Sequence, residues 1–294
     1  MCLLFVYINP SPKEGEYKIV LVNNRDETYI RPAKPAHMWD CRVIGGMDAE
    51  EGKEGGTWLG ISEAGKIGCL MNIFQPVEDF QDNVAPRGFI VVNYLQTEES
   101  GPDYMENIAK SGVIFNHFNL VTLDPGEESY NASYYNSQIN AHQKLESGVH
   151  GFGNCQINTP FKKVQKGQRK LKEIIEEYGK LECEEQLISE LFTMMQDTTK
   201  NFPDKQLIEQ GRGHSEEFVK NLSSIYVSCP SHDYGTRTTT AILVDHTDRI
   251  VFREKTMQQP ITLDALRWEV NTFSFFVRKM DHLFAKKNLG LKNE

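Results

Sequence analysis

The chain opens "MCLLFVYINP", with a cysteine directly after the first methionine. Residues 3–8 form an apolar run whose length suits a buried strand, and that strand carries Cys2 into the protein at its end. On position alone Cys2 is one more buried thiol, since free cysteine is among the most buried residue types. "VNNRDETY" places Asn23, Asn24, Arg25, Asp26 and Glu27 directly after the apolar residues 19–22. Such a cluster suits a solvated turn, or a strand end that presents a carboxylate and a guanidinium to a cleft. In "EGKEGGTWLGIS", Gly55 and Gly56 stand just before Trp58. A glycine pair lets backbone approach closely and an indole can wall a pocket; a tight hairpin with a core tryptophan accounts for it equally well. "GFGNCQINTPFKK" sets Asn154 at a strand end, ahead of the helix-start signal Thr159-Pro160. "SCPSHDYGTRTTTAILVD" sets Arg237 just before a strong strand. None of these has the form of a glycine-rich phosphate loop or a zinc site.

The elements that position these residues follow from periodicity. Strands are expected at 2–8, 18–23, 66–73, 118–123, 132–136, 148–154, 224–229, 238–245, 249–254 and 268–279. Several are apolar on both faces: Ile19 to Val22 are consecutive apolar residues, as are Ala241 to Val244, which is how a strand covered on both sides reads. Leu171, Ile174, Ile175 and Tyr178 mark one amphipathic helix; Leu187, Ile188, Leu191, Phe192 and Met195 mark another. Weaker helical patterns cover 89–96 and 104–110. Strands come in runs with helices grouped between them, which argues for layers rather than strict alternation.

Bulk properties set the compartment. The 294 residues are 39% hydrophobic and 25% charged, as in a soluble globular protein. A formal charge of −9 argues against a broad nucleic-acid footprint. The six cysteines show no C-x-x-C pairing, and the eight histidines are scattered. No run of about 18 apolar residues suggests a membrane span. The opening apolar run is too short for a secretory signal and lacks a basic flank. A reduced, cytoplasmic protein with free thiols is expected.

Taken in order, "NNRDE", "EGGTWLGI", "GFGN…TPFKK" and "YGTRTTTAILVD", behind Met-Cys, resemble the NRDE-domain family. The closer resemblance is to the transport and Golgi organization protein 2 family. It runs over 1–279 as one domain, leaving 280–294 as a C-terminal extension. It implies the N-terminal-nucleophile hydrolase fold: α+β, a four-layer αββα sandwich of two stacked, mostly antiparallel sheets flanked by helices. In cysteine-type members of that superfamily, loss of Met1 makes Cys2 the nucleophile. Its own α-amino group, titrating near about 7.7–8.0, then serves as the base. Carried across, Asp26 orients the amine and thiol, and the Asn154 amide helps form the oxyanion hole. Arg237 lowers the thiol pKa or holds an anionic substrate. Cysteine amidases carry an arginine three residues before the acid; here Asn23 holds that place and the arginine is Arg25. These residues are expected to converge on one pocket with Trp58 at its wall.

The closer family implies haem trafficking, moving haem from organelles or stores to the cytosol, with roles in lipid homeostasis and in Golgi and organelle organisation. The alternative is a cysteine amidohydrolase acting on an amide or acyl bond of a small or lipid-like substrate. As a carrier the protein needs no cofactor, and haem is cargo. Asn24, Arg25, Glu27 and Trp58 are then the ligand-binding candidates, with Arg25 or Arg237 on the haem propionates. Cys229-Pro230 with His232 offers axial iron ligands, or simply a core cysteine at a strand end stopped by Pro230. Peripheral contact with mitochondria, the Golgi or lysosome-like organelles could use Lys279, Lys286, Lys287 and Lys292, which equally suit a solubilising tail.

Overall fold

The computed structural model describes residues 1–278. Lys279 and the expected extension at 280–294, with Lys286, Lys287 and Lys292, lie outside the described residues.

The chain opens with strands β1 (Leu3–Ile8) and β2 (Tyr17–Thr28), followed by β3 (Ala33–Met38), β4 (Val43–Asp48), β5 (Leu59–Ser62) and β6 (Ile67–Asn72). Helices α1 (Gly88–Gln96) and α2 (Gly101–Lys110) lead to β7 (Phe118–Pro125), β8 (Tyr130–Asn136), β9 (Ala141–Lys144) and β10 (Gly148–Phe152). Four helices come next: α3 (Lys162–Tyr178), α4 (Glu184–Met195), α5 (Lys205–Gln210) and α6 (Glu216–Asn221). The described chain closes with β11 (Ser228–Cys229), β12 (Tyr234–Asp245), β13 (Arg249–Met257) and β14 (Trp268–Phe276). One sheet has the order β10-β1-β2-β12-β13-β14, with β11 on β12; the other is a meander from β3 to β9. Neighbouring strands in both sheets are antiparallel.

Side-chain alternation assembles the layers. Leu4, Val6, Ile19, Leu21, Ile242 and Phe252 of the first sheet pack on Ile44, Ile61, Ile67 and Val121 of the second. The opposite faces of β1, β2 and β12, through Leu3, Phe5, Val20, Val22 and Leu243, pack on Leu171, Ile174, Leu187 and Leu191 of α3 and α4. The far face of the second sheet packs Leu70, Phe118 and Leu120 on Val91, Tyr94 and Met105 of α1 and α2. The order is helix, sheet, sheet, helix: a four-layer αββα sandwich of class α+β, and it accounts for the strands that read as apolar on both faces.

The differences from the sequence reading lie where composition hides a strand. β2 runs on through the polar "NNRDE" to Thr28, and β12 begins at Tyr234, ahead of Arg237. Of the two readings of that cluster, the solvated turn gives way to buried strand. Of the stretch 224–229 only the pair in β11 is extended. β3, β4, β5 and β9 escaped notice because they are short and carry Pro35 (β3), Gly45 and Gly46 (β4), Gly60 (β5) or, in β9, four exposed side chains. Gly46 is required where it stands, since a Cβ there would collide with the Trp58 ring.

Candidate functional site

The polar end of β2 is buried because each side chain finds a partner or a cavity. By alternation, Asn23 and Arg25 share the inter-sheet face with Ile19 and Leu21; Asn24 and Asp26 share the helix-side face with Val20 and Val22. β12 pairs beside it with a bulge at Arg237, so that Thr236 stands opposite Asp26 and Thr238 opposite Arg25. The extra residue re-aims the Arg237 side chain.

A cavity of about 340 Å³ opens at this end of the sandwich, and Cys2, Arg25, Asp26, Glu27 and Trp58 all line it. Its wall is charge-balanced: Arg25, Arg31, Lys53 and Arg87 against Asp26, Glu27, Asp48 and Asp82. Phe80 and Phe89 add exposed apolar faces. The Arg25 guanidinium lies over the Trp58 ring, 4.1 Å from its centroid, and its nearest anion is Glu27 at 4.0 Å. Arg25 is 5% exposed, and its guanidinium makes no hydrogen bond among the described residues. Burial lowers its pKa, with Glu27 opposing. Arg31, by contrast, is engaged by Asp48 at 2.6 Å. Arg87 donates to the Asn116 and His117 carbonyls, and burial pushes it down to about 10.

Behind Cys2 the first residue is held firmly. The Met1 side chain is buried in the helix-side core. Its ammonium contacts the Tyr234 hydroxyl and lies 3.7 Å from Asp26 Oδ2. Tyr234 in turn donates to the Asp26 carbonyl at 3.2 Å, and Thr236 Oγ1 donates to Asp26 Oδ1 at 2.6 Å. Burial raises the Asp26 carboxyl, with the ammonium and Lys163 opposing. Burial also raises the half-buried Cys2 thiol, against the ammonium. With Met1 attached, the nitrogen of Cys2 is an amide, so no free amine stands beside the thiol to act as its base.

The other expected site residues lie elsewhere. Asn154 does not line the cavity; its Nδ2 donates to the carbonyl of Asn72, which does, while its Oδ1 is buried without a partner among the described residues. Arg237 is on the far side of the Arg25–Trp58 pair, in a separate cavity, and its Nη1 donates to the Thr28 and Arg31 carbonyls at 2.7 and 2.6 Å. Asn24 is turned away from the ligand space. Its Nδ2 donates to the Met195 and Ile225 carbonyls and its Oδ1 accepts from Thr239. Cys229 is fully buried, with its Sγ 3.3 Å from His232 Nδ1, and neither lines the Cys2 cavity. The four expected catalytic residues thus divide: Cys2 and Asp26 meet, while Asn154 and Arg237 stand behind its walls, because a strand bulge and a carbonyl contact set their directions and spacing cannot report either.

The family model "Transport and Golgi organisation 2" matches residues 1–259. The chain belongs to the Transport and Golgi organisation 2 family. A Bos taurus relative, "Transport and Golgi organization protein 2 homolog", is 34% identical over 280 residues, covering 94% of this chain and 99% of that one. The Homo sapiens homologue is 33% identical over the same coverage. "Transport and Golgi organization protein 2" of Drosophila melanogaster is 31% identical over 268 residues, 87% of this chain and 92% of the relative. Among solved structures, a mutant of conjugated bile acid hydrolase from Clostridium perfringens covers 96% of this chain and 100% of its own, at 9% identity and a TM-score of 0.39.

Three features of this family member were not singled out from its sequence. Arg31, in the turn between β2 and β3, and Asp48, at the end of β4, form an ion pair on the cavity wall. Arg87, just before α1, is brought in where Thr57 N–H donates to the Gly88 carbonyl at 3.1 Å, beside a Gly56–Gly88 approach so close that a Cβ on Gly56 would lie 3.0 Å from the Gly88 Cα. Lys163, in the first turn of α3, is buried with its Nζ unpartnered among the described residues. Burial pushes it down to about 8, against the pull of Asp26. Its signal was present in the "TPFKK" motif, where the proline marks the helix start and the second lysine turns inward.

Proposed function

We propose that this protein carries a small amphipathic carboxylate, haem in the first instance, by holding its acid-bearing edge in the Cys2 cavity without turning it over. The observation behind this reading is Arg25. A buried guanidinium with no hydrogen bond among the described residues is an open donor set, and a carboxylate meets it with two parallel bonds. Trp58 holds the fork in place from one side, and Phe80 and Phe89 offer apolar faces nearby. At about 340 Å³ the cavity is at the small end of ligand sites, so it takes a propionate edge and leaves most of the macrocycle outside. The charge-balanced wall suits an acid that pairs with one arginine rather than a highly charged ligand. A thiol kept protonated by burial is a bystander in this scheme. Such a carrier exchanges haem in the cytoplasm at mitochondria, the Golgi or lysosome-like organelles, and its loss disturbs lipid homeostasis and organelle organisation downstream. No described helix is long and apolar enough to cross a membrane.

One observation favours a second reading, the cysteine amidohydrolase. Asp26 and Tyr234 gather around the ammonium of residue 1. With Met1 gone, the same pair would receive the amine of Cys2, which takes the thiol proton as sulfur attacks an acyl carbon and returns it to the leaving amine. Water then releases the acyl group. Haem titration followed by absorbance, run beside amide and ester hydrolysis assays on wild type and Cys2→Ala, separates the two. The carrier requires saturable haem uptake that survives Cys2→Ala, with no hydrolysis. Hydrolysis abolished by Cys2→Ala, in a protein that takes up no haem, establishes the enzyme.

A further inference from the structure

The second cavity beside the site has a different electrostatic character. It measures about 350 Å³ and lies between β3 and the ends of β12 and β13, with the Arg25–Trp58 stack as its shared wall with the Cys2 cavity. Four cations line it, Arg25, Lys34, Arg237 and Arg267, against one acid, Glu269, a net of +3. That excess stands out in a chain of formal charge −9 and beside a neighbouring cavity whose charges cancel. Two of the cations are built into the fold. Arg25 is 5% and Arg237 3% exposed, and Arg237 Nε is buried without a hydrogen-bond partner among the described residues. Burial pushes Arg237 down to about 10, with Arg25 as the next cause, so the two guanidinia repel each other in this wall. Thr238 and Thr256 also line it, their hydroxyls hydrogen-bonded to each other at 2.6 Å.

We infer that this cavity is an anion site for a dianionic phosphate group, separate from the cargo site. A singly charged carboxylate leaves most of the +3 uncompensated. A phosphate monoester brings two charges and enough acceptor oxygens for two guanidinia and an ammonium together, the pairing that planar arginine forks favour. The site shares Arg25 with the Cys2 cavity, whereas Lys34, Arg237 and Arg267 line this cavity alone and carry the phosphate's charge when cargo engages Arg25.

Lys34 and Arg267 are exposed at the rim, so Lys34→Gln/Arg267→Gln removes two cations without touching the buried pair or the Cys2 cavity. Calorimetric titration of the full chain with inorganic phosphate is expected to give saturable binding of one equivalent, weakened at least tenfold in the double variant, while haem titration of that variant matches wild type. Sedimentation with phosphatidylcholine vesicles, with and without phosphatidic acid, then identifies the source. Phosphatidic-acid-dependent binding displaced by free phosphate points to a lipid headgroup. Phosphate binding without vesicle binding points to a soluble phosphate ester. Absence of saturable phosphate binding to wild type, or equal affinity in the double variant, overturns the site. Loss of haem binding alone leaves this site standing and strikes only at the cargo proposal.

Discussion

Met1 is the residue on which the carrier and the enzyme divide. Its side chain fills a place in the helix-side core among Leu3, Val22 and Ile225, and its ammonium is matched by Asp26. Taking it away empties that place. Deleting a buried methionine-sized side chain costs about 2–5 kcal/mol, depending on how far the walls relax. The form lacking Met1 is therefore expected to unfold at lower urea concentration by an amount in that range, with intact mass identifying which form is present. Equal stability of the two forms would mean that the Cys2 amine and the surrounding core close the gap, which is what a working nucleophile needs. Arg25 is the complementary case. Its position in a polar run gave it away as a candidate, but its value as a ligand group comes from having no hydrogen-bond partner among the described residues, and only the three-dimensional surroundings reveal that.

At the level of elements, the polar tail of β2 does more than present groups to a cavity. Asn24 ties β2 to the end of α4 through Met195, to the segment before β11 through Ile225, and to β12 through Thr239. Asn24→Ala leaves two carbonyls and a hydroxyl unpaired in the core, each orphan costing about 1–3 kcal/mol. A loss of about 3 kcal/mol in chemical denaturation is expected, with the Cys2 cavity unaffected in its charges; a loss below 1 kcal/mol would mean that water enters to satisfy those groups. The same network explains what the sequence could and could not reveal. The apolar runs of β1, β2 and β12 and the stripes of α3 and α4 were legible, because burial imposes a period on neighbouring residues. The strand character of "NNRDE" was not, because the partners of its buried polar side chains are remote in sequence: Met195, Ile225 and Thr239 for Asn24, Leu3 for Asn23 and Thr236 for Asp26. β4 was hidden for a similar reason: Gly46 serves the bulk of Trp58 rather than any local preference. Cys2 and Asp26 were brought into one cavity, as their places at strand ends suggested. Arg237 lines the neighbouring cavity instead, next to a register shift in the β2–β12 pairing that strand-end spacing does not reveal.

At the scale of the whole molecule, the two sheets are joined near the site by a buried acid. Glu254 of β13 accepts from the Ala36 amide of β3 at 2.7 Å and from Thr240 at 3.4 Å, and burial pushes its carboxyl up from 4.5 to about 7. Between those two values the folded protein keeps a proton that the unfolded chain has released. Stability from this group is therefore greatest at low pH, falls as pH rises from 4.5 through about 7, and levels off above. The fall amounts to about 3 kcal/mol at 1.4 kcal/mol per unit. Glu254→Gln should remove it, leaving the variant more stable than wild type at alkaline pH and close to it in acid, as read from urea unfolding across pH; parallel profiles for the two proteins would place the charge on another group. The acid, the Arg25–Trp58 stack and the two cavities all sit at the same end of the sandwich, so the fold's least apolar region is also its proposed binding region. The central claim rests on one contact there. Haem titration by absorbance of wild type, Arg25→Lys, Arg25→Gln and Cys2→Ala, with folding checked by circular dichroism, tests it most directly. Arg25→Gln is expected to weaken haem binding about 10–100-fold, equivalent to about 1.5–3 kcal/mol. Arg25→Lys should fall between that variant and wild type, because it keeps the charge but loses the fork. Cys2→Ala should stay within about twofold of wild type, since the thiol makes no charge-assisted bond to the cargo. Wild-type affinity in a folded Arg25→Gln, or loss of haem binding in Cys2→Ala, would contradict the account.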